Sequence, residues 1–209
     1  MILRFFDNPT VLIISAIVMI MALIFHNIVQ AWVASRYGDH SPKLNGFMNF
    51  DPQQHLEPFG VLFLFLLGFG WPKTITVNSR NYRGRGRQEA LVWYSGPLAY
   101  LVVAFVTYLI AALVSNTGER DVATAFLVTG DVAILHAVIN LFPVFPLDGA
   151  RAALAWGNPE VRRVIGEIAK FGILGFVLVF FVLSAIGVTS AIMLFFRGLL
   201  FGLLRALGL

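Results

Sequence analysis

His26 lies within a run, Val11 to Ala34, that carries no formal charge; Asn27 follows it directly and Gln30 one helical turn later. Side chains four residues apart on a helix project from one face. When both are histidine they grip one metal ion, with a glutamate next to the first acting as general base toward a metal-bound water. Here His26 keeps the first seat, Asn27 takes the base's and Gln30 takes the second ligand's. A Gln amide oxygen is a neutral, poor donor to Zn²⁺ beside an imidazole, and an Asn amide takes up no proton at physiological pH. Loss of a general base alone costs typically about 10² to 10⁴ in rate. The two exchanges together predict a centre that binds zinc weakly or not at all and does not activate water. An isolated histidine in an apolar helix is most often a hydrogen-bonded packing residue, yet an ionisable group at membrane depth is costly to bury unpaired and marks a site.

The elements that must position these residues are membrane helices. The chain is 58% hydrophobic and 12% charged, against roughly 25% charged residues in soluble domains. Val11–Ala34, Ala90–Ser115, Val122–Phe142 (apart from Asp131 and His136) and Phe171–Phe196 are uncharged runs long enough to cross a bilayer core. At roughly 20 residues per crossing, they predict an all-α polytopic membrane protein of about five to six transmembrane helices, in a single domain over residues 1–209. Phe59–Trp71, at about 13 residues, is too short to cross and reads as a re-entrant or interfacial element. Arg4 precedes an apolar stretch longer than a signal-peptide core, so no cleavable signal is expected. The absence of cysteine excludes disulfides and thiolate metal sites.

The net charge of +4 reads as basic loops facing anionic lipid, with no nucleic-acid partner. Lys73, Arg80, Arg83, Arg85 and Arg87 form one basic loop; Arg151, Arg162, Arg163 and Lys170 form another; Asn116–Asp121 is short and weakly charged. The positive-inside tendency places the two basic loops in the cytoplasm and the short loop outside. Near the C-terminus two arrangements are open. Gly187, Thr189 and Ser190 mark a turn between two short spans, or one span precedes an interfacial helix with Arg197 and Arg205 reaching the headgroups. Asp131 and His136, five apart, share a face poorly and read as groups bonded within the bundle.

Further motifs follow in order. After the helix come Ala31, Ala34, Gly38 and Asp39; then Asp51, Pro52, His55, Glu57 and Pro58; then Phe69, Gly70, Trp71, Pro72 and Lys73, leading to Val77, Asn78 and Arg80. Ser95, Gly96 and Pro97 precede Tyr100, and Asn140, Pro143, Pro146, Leu147, Asp148, Gly149 and Arg151 close the series. In order and spacing, from Phe25 to Arg151, the chain resembles the site-2 protease family of intramembrane zinc metalloproteases, in its compact bacterial form. It departs at Asn27 and Gln30, and at Tyr100, where that family has Asn.

The resemblance implies Asp148 as third zinc ligand beside His26 and the substituted Gln30, with Asn27 in the base position. It also implies a cavity involving Asn140, Pro143, Pro146, Gly149 and His55, and residence in a bacterial plasma membrane. Independently of it, Pro143 and Pro146 break a helix, which at membrane depth is tolerated only where the backbone is buried or lines a polar cavity. The leading expectation is a pseudoprotease that retains a cavity for the helices of single-span membrane proteins. A zinc endopeptidase with an altered ligand set, drawing on His55 or His136, is the alternative. A small ion or proton transporter using His26, Asp131, His136 and Asp148 is the other, disfavoured by the lack of an inverted repeat.

Overall fold

Asn8 opens the first long helix by accepting a hydrogen bond from the Val11 amide, and Pro9 follows at the position where its missing N–H costs nothing. In the computed structural model, which describes residues 7–209 (the side chain of Ile173 excepted), this helix, α1, runs from Pro9 to Arg36. Arg4 lies outside the described residues. Along α1 the buried positions Ser15, Met19, Ala22, Leu23, His26, Gln30 and Ala34 recur at helical spacing, while Ile13, Ile17 and Met21 stay exposed on the other side. The small residues let neighbouring helices approach closely.

Two further long helices pack on that face: α5, Gly86–Ser115, and α6, Arg120–Leu141. Their shared core holds Met19, Leu23, Tyr100, Tyr108, Ile134 and Val138, all essentially inaccessible. Gly130 lies against the Tyr108 ring, where any side chain would overlap it. Pro97 sits inside α5 and supplies no N–H to the carbonyl one turn back, that of Trp93.

Short elements connect α1 to α5. They are α2 (Ser41–Leu44), α3 (Pro52–His55), α4 (Pro58–Leu67) and a single 3₁₀ turn at Ser79–Asn81. Helix α4 starts at Glu57, whose carboxylate accepts from the Gly60 amide, and ends at Gly68 with φ +75°. The chain then doubles back. Leu56 and Pro72 pair in an antiparallel bridge, and Gly60 and Gly70 are each so close to the other limb's backbone that no side chain fits. The segment thus returns to where it began, as a re-entrant element does. At ten residues, roughly 15 Å long, α4 reaches half of a 30 Å hydrocarbon core.

Asp39 fixes the loop after α1. It is fully buried and accepts from the Ser41 and Asn78 amides, the Asn81 side chain and the Tyr82 hydroxyl. Burial alone would raise its pKa; the hydrogen bonds led by that of Asn78 outweigh it and hold the carboxyl below its ordinary value.

The C-terminal part comprises α7 (Asp148–Trp156), α8 (Pro159–Ala169), α9 (Gly172–Ala185) and α10 (Val188–Ala206). The turn between α9 and α10 is at Gly187, φ +80°, where the sequence marked a turn. Arg197 on α10 pairs with Asp131 on α6, which also accepts from the Tyr108 hydroxyl. Asp131 therefore bonds across helices and not to His136.

Among the described residues four helices, α1, α5, α6 and α10, are long and apolar enough to cross a membrane, and a fifth is added if the sharply bent pair α8–α9 is one span. The protein is an all-α, polytopic integral membrane protein with four or five such spans against the five to six expected, because α9 is too short to cross by itself. Among the described residues there is no strand.

Candidate functional site between α1 and α7

His26 points from the middle of α1 toward the start of α7, where its Nε2 lies 2.7 Å from Asp148 Oδ2. Its other nitrogen, Nδ1, is 3.1 Å from Asn27 Oδ1. Asn27 Nδ2 donates to the carbonyl of Lys73 at 2.8 Å. A carbonyl only accepts, so this bond fixes which end of the Asn27 amide is nitrogen and leaves its oxygen to accept from His26 Nδ1–H. The Nε2–Asp148 contact lies in a site where both residues are under a tenth exposed.

Gln30 Nε2 donates to the carbonyl of Trp93 at 3.2 Å. This is the carbonyl deprived of its helical donor by Pro97, so Gln30 repairs the break that the proline makes in α5. Gly96, on the same turn, allows the approach: a methyl there would overlap both the His26 ring and the Gln30 amide. The Tyr100 ring stacks on His26 with centroids 4.8 Å apart, and its buried hydroxyl has no hydrogen-bond partner among the described residues.

A cavity of about 180 Å³ opens beside the pair. Of the residues expected from the sequence, His26, Asn27, Gln30, Asn140, Pro146 and Asp148 line it. His55, Pro143 and Gly149 do not. His55 is buried elsewhere, its Nε2–H donating to the Asn49 carbonyl at 2.8 Å and its ring edge-on to Phe47. Its backbone carbonyl still matters, because it accepts from the Lys73 amide and so holds the segment that Asn27 grips. Pro143 is exposed. Gly149 is packed against the last carbonyls of α6, Leu141 and Phe142, with no room for a side chain.

His136 does not complete a ligand set. Its Nδ1–H donates to the Val132 carbonyl at 2.8 Å and its Nε2 accepts from the Gly70 amide at 3.1 Å, so both ring nitrogens are committed to tying the re-entrant segment to α6. Trp71, Lys73 and Trp93 also line the cavity. The sequence reading did not assign Trp93 to the site, although its place one turn before Pro97 was a usable signal.

A catalytic zinc takes about three protein ligands and one water. Here only two strong metal donors, His26 and Asp148, face each other, and the third seat holds a neutral amide turned toward a backbone carbonyl. Among the described residues no three His, Cys, Asp or Glu side chains converge on one point. The residues present do not fit a catalytic zinc.

Fold and site together define a class: a helical membrane protein with a buried histidine–aspartate pair beside a small cavity. The chain is similar to the Bacillus subtilis (strain 168) protein named "Putative zinc metalloprotease YwhC", with 29% identity over 171 residues, 78% of each chain. It is similar also to two mycobacterial proteins named "Putative zinc metalloprotease Rip2". That of Mycolicibacterium smegmatis is 27% identical over 74% of this chain, and that of Mycobacterium tuberculosis (strain H37Rv) is 25% identical over 78%. The matches span 61% and 64% of those two proteins' own lengths, less than two thirds. No protein-family model and no solved structure matches the chain.

Proposed function

We propose that this chain is a site-2-protease-like membrane protein in which peptide hydrolysis has been lost, and whose cavity between α1, α6 and α7 receives a helix of a single-span membrane protein. It resides in a bacterial plasma membrane with its basic loops on the cytoplasmic side. Similarity to proteins named as zinc metalloproteases supports the ancestry.

The observation that carries the loss of activity is the use made of the two exchanged residues. Asn27 and Gln30 both donate to backbone carbonyls, of Lys73 and Trp93. A glutamate at position 27 has no hydrogen to give when ionised and would face the Lys73 oxygen as a second acceptor. The amides are built into the fold as donors, and the base and ligand seats are no longer free for chemistry.

Metal analysis of the purified protein tests this, beside Asn27→Glu combined with Gln30→His. The parent is expected to carry far less than one zinc per chain and to leave a single-span test helix intact. The double variant is expected to gain zinc. One firmly bound zinc in the parent, lost on His26→Ala or Asp148→Ala, together with chelator-sensitive cleavage, would overturn the proposal.

A further inference from the structure

The basic stretch between the re-entrant segment and α5 folds into one wall of a groove of about 760 Å³, and α7 supplies the other. Arg80, Arg83, Arg85 and Arg151 line it against a single carboxylate, Glu89. The first three are exposed, and among the described residues none of them makes an ion pair. Arg151 is held at the back. Its guanidinium lies over the Trp93 ring, 5.1 Å from the centroid, while Nη2 bonds to Thr74 Oγ1 at 3.2 Å, so its planar fork is pre-oriented. Trp93 also lines the groove, and its buried indole N–H has no partner among the described residues. Arg85 sits at φ +47°, the only positive φ of a non-glycine among the described residues. Such a backbone persists only where its surroundings hold it.

Several unpaired guanidinium groups in one concave site recognise a phosphodiester. The position in the bundle says which kind. The groove lies at the start of the long span α5, beside the end of α7, where Trp156 is largely exposed as interfacial tryptophans are. Leu154 on α7, which lines the groove, offers partly exposed apolar surface beside the arginines, a rim for an acyl chain that a free phosphate would not need. We propose that this groove is the headgroup site of an anionic phospholipid, its phosphate held by Arg83 and Arg85 and backed by Arg151, its chain leaving past Leu154. The assignment does not depend on whether the His26 centre is active.

The test is native mass spectrometry of the purified full chain, titrated with phosphatidylglycerol, phosphatidylcholine or, as a source of phosphate without acyl chains, glycerol phosphate. Phosphatidylglycerol should be retained over phosphatidylcholine by about tenfold or more, and Arg83→Gln with Arg85→Gln should remove most of that preference. Arg163→Gln with Arg205→Gln removes the same charge elsewhere and should leave the preference within about twofold. Arg80→Gln with Arg83→Gln provides a second groove pair that spares the strained position 85. Equal loss in groove and control variants, no preference for the anionic lipid, or full competition by glycerol phosphate would each overturn the proposal.

Discussion

Asn27 on α1 donates its side-chain amide to the carbonyl of Lys73, 46 positions further along the chain and 2.8 Å away. Lys73 in turn donates its own amide to the His55 carbonyl at 2.6 Å, so a single side chain ties the end of the re-entrant segment to the helix that carries His26. The same amide's oxygen accepts from His26. The residue in the base's seat is thus a clamp.

Asn27→Asp keeps the volume and exchanges the donor for an acceptor. It leaves the Lys73 carbonyl unpaired and places a carboxylate oxygen against it, which predicts a loss of about 1 to 3 kcal/mol or more. Thermal unfolding in detergent measures it. An unchanged melting temperature would show that the clamp carries little.

Gly96→Ala should destabilise the protein by about 1 to 3 kcal/mol, because a methyl at this position overlaps the His26 and Gln30 side chains and the close-packed helices cannot spread without cost. Gly198→Ala, on α10 with nothing near the added carbon, should be neutral or slightly stabilising. Comparing the two melts separates packing at the site from helix propensity.

The His55 ring is held neutral: burial depresses its pKa below the ordinary 6.5, only partly offset by the Asn49 carbonyl and the Asp51 charge. The unfolded chain therefore binds more protons than the folded one between 6.5 and the lower folded value. Stability should fall as pH drops through that window and level off beneath it. His55→Gln, which keeps a donor for Asn49, should flatten this part of a stability–pH curve; a parent curve already flat there would refute the assignment.

The proposed orientation is open to direct labelling, since the chain contains no cysteine. A cysteine at Arg83 should react with an impermeant thiol reagent only from the cytoplasmic side, and one at Gly118, in the short α5–α6 turn, only from the opposite side. The reverse pattern would invert the topology.

Much of the architecture was readable in one dimension. Solvent class and span positions follow from uninterrupted apolar length, which is a local property. The shortness of Phe59–Trp71 likewise implied an element that turns back. That Asn27 and Gln30 share a face with His26 is helical arithmetic. The sequence alone therefore gives the proposal that a base and a ligand for a metal-bound water are exchanged for amides.

What the two amides bond to was decided only by the tertiary structure. The partners of the amides are backbone carbonyls, which carry no residue identity and leave no trace in a sequence pattern. Gln30 finds Trp93 because Pro97 frees its carbonyl and Gly96 lets two helices meet. His26 and Asp148 lie 122 positions apart yet meet at 2.7 Å. His55 and His136, both candidates by residue type, are spent on the Asn49 carbonyl and on the Val132 carbonyl and Gly70 amide. Composition and period determine which surfaces are buried; which donor meets which acceptor depends on how closely helices pack, and that distance is a property of the assembled bundle.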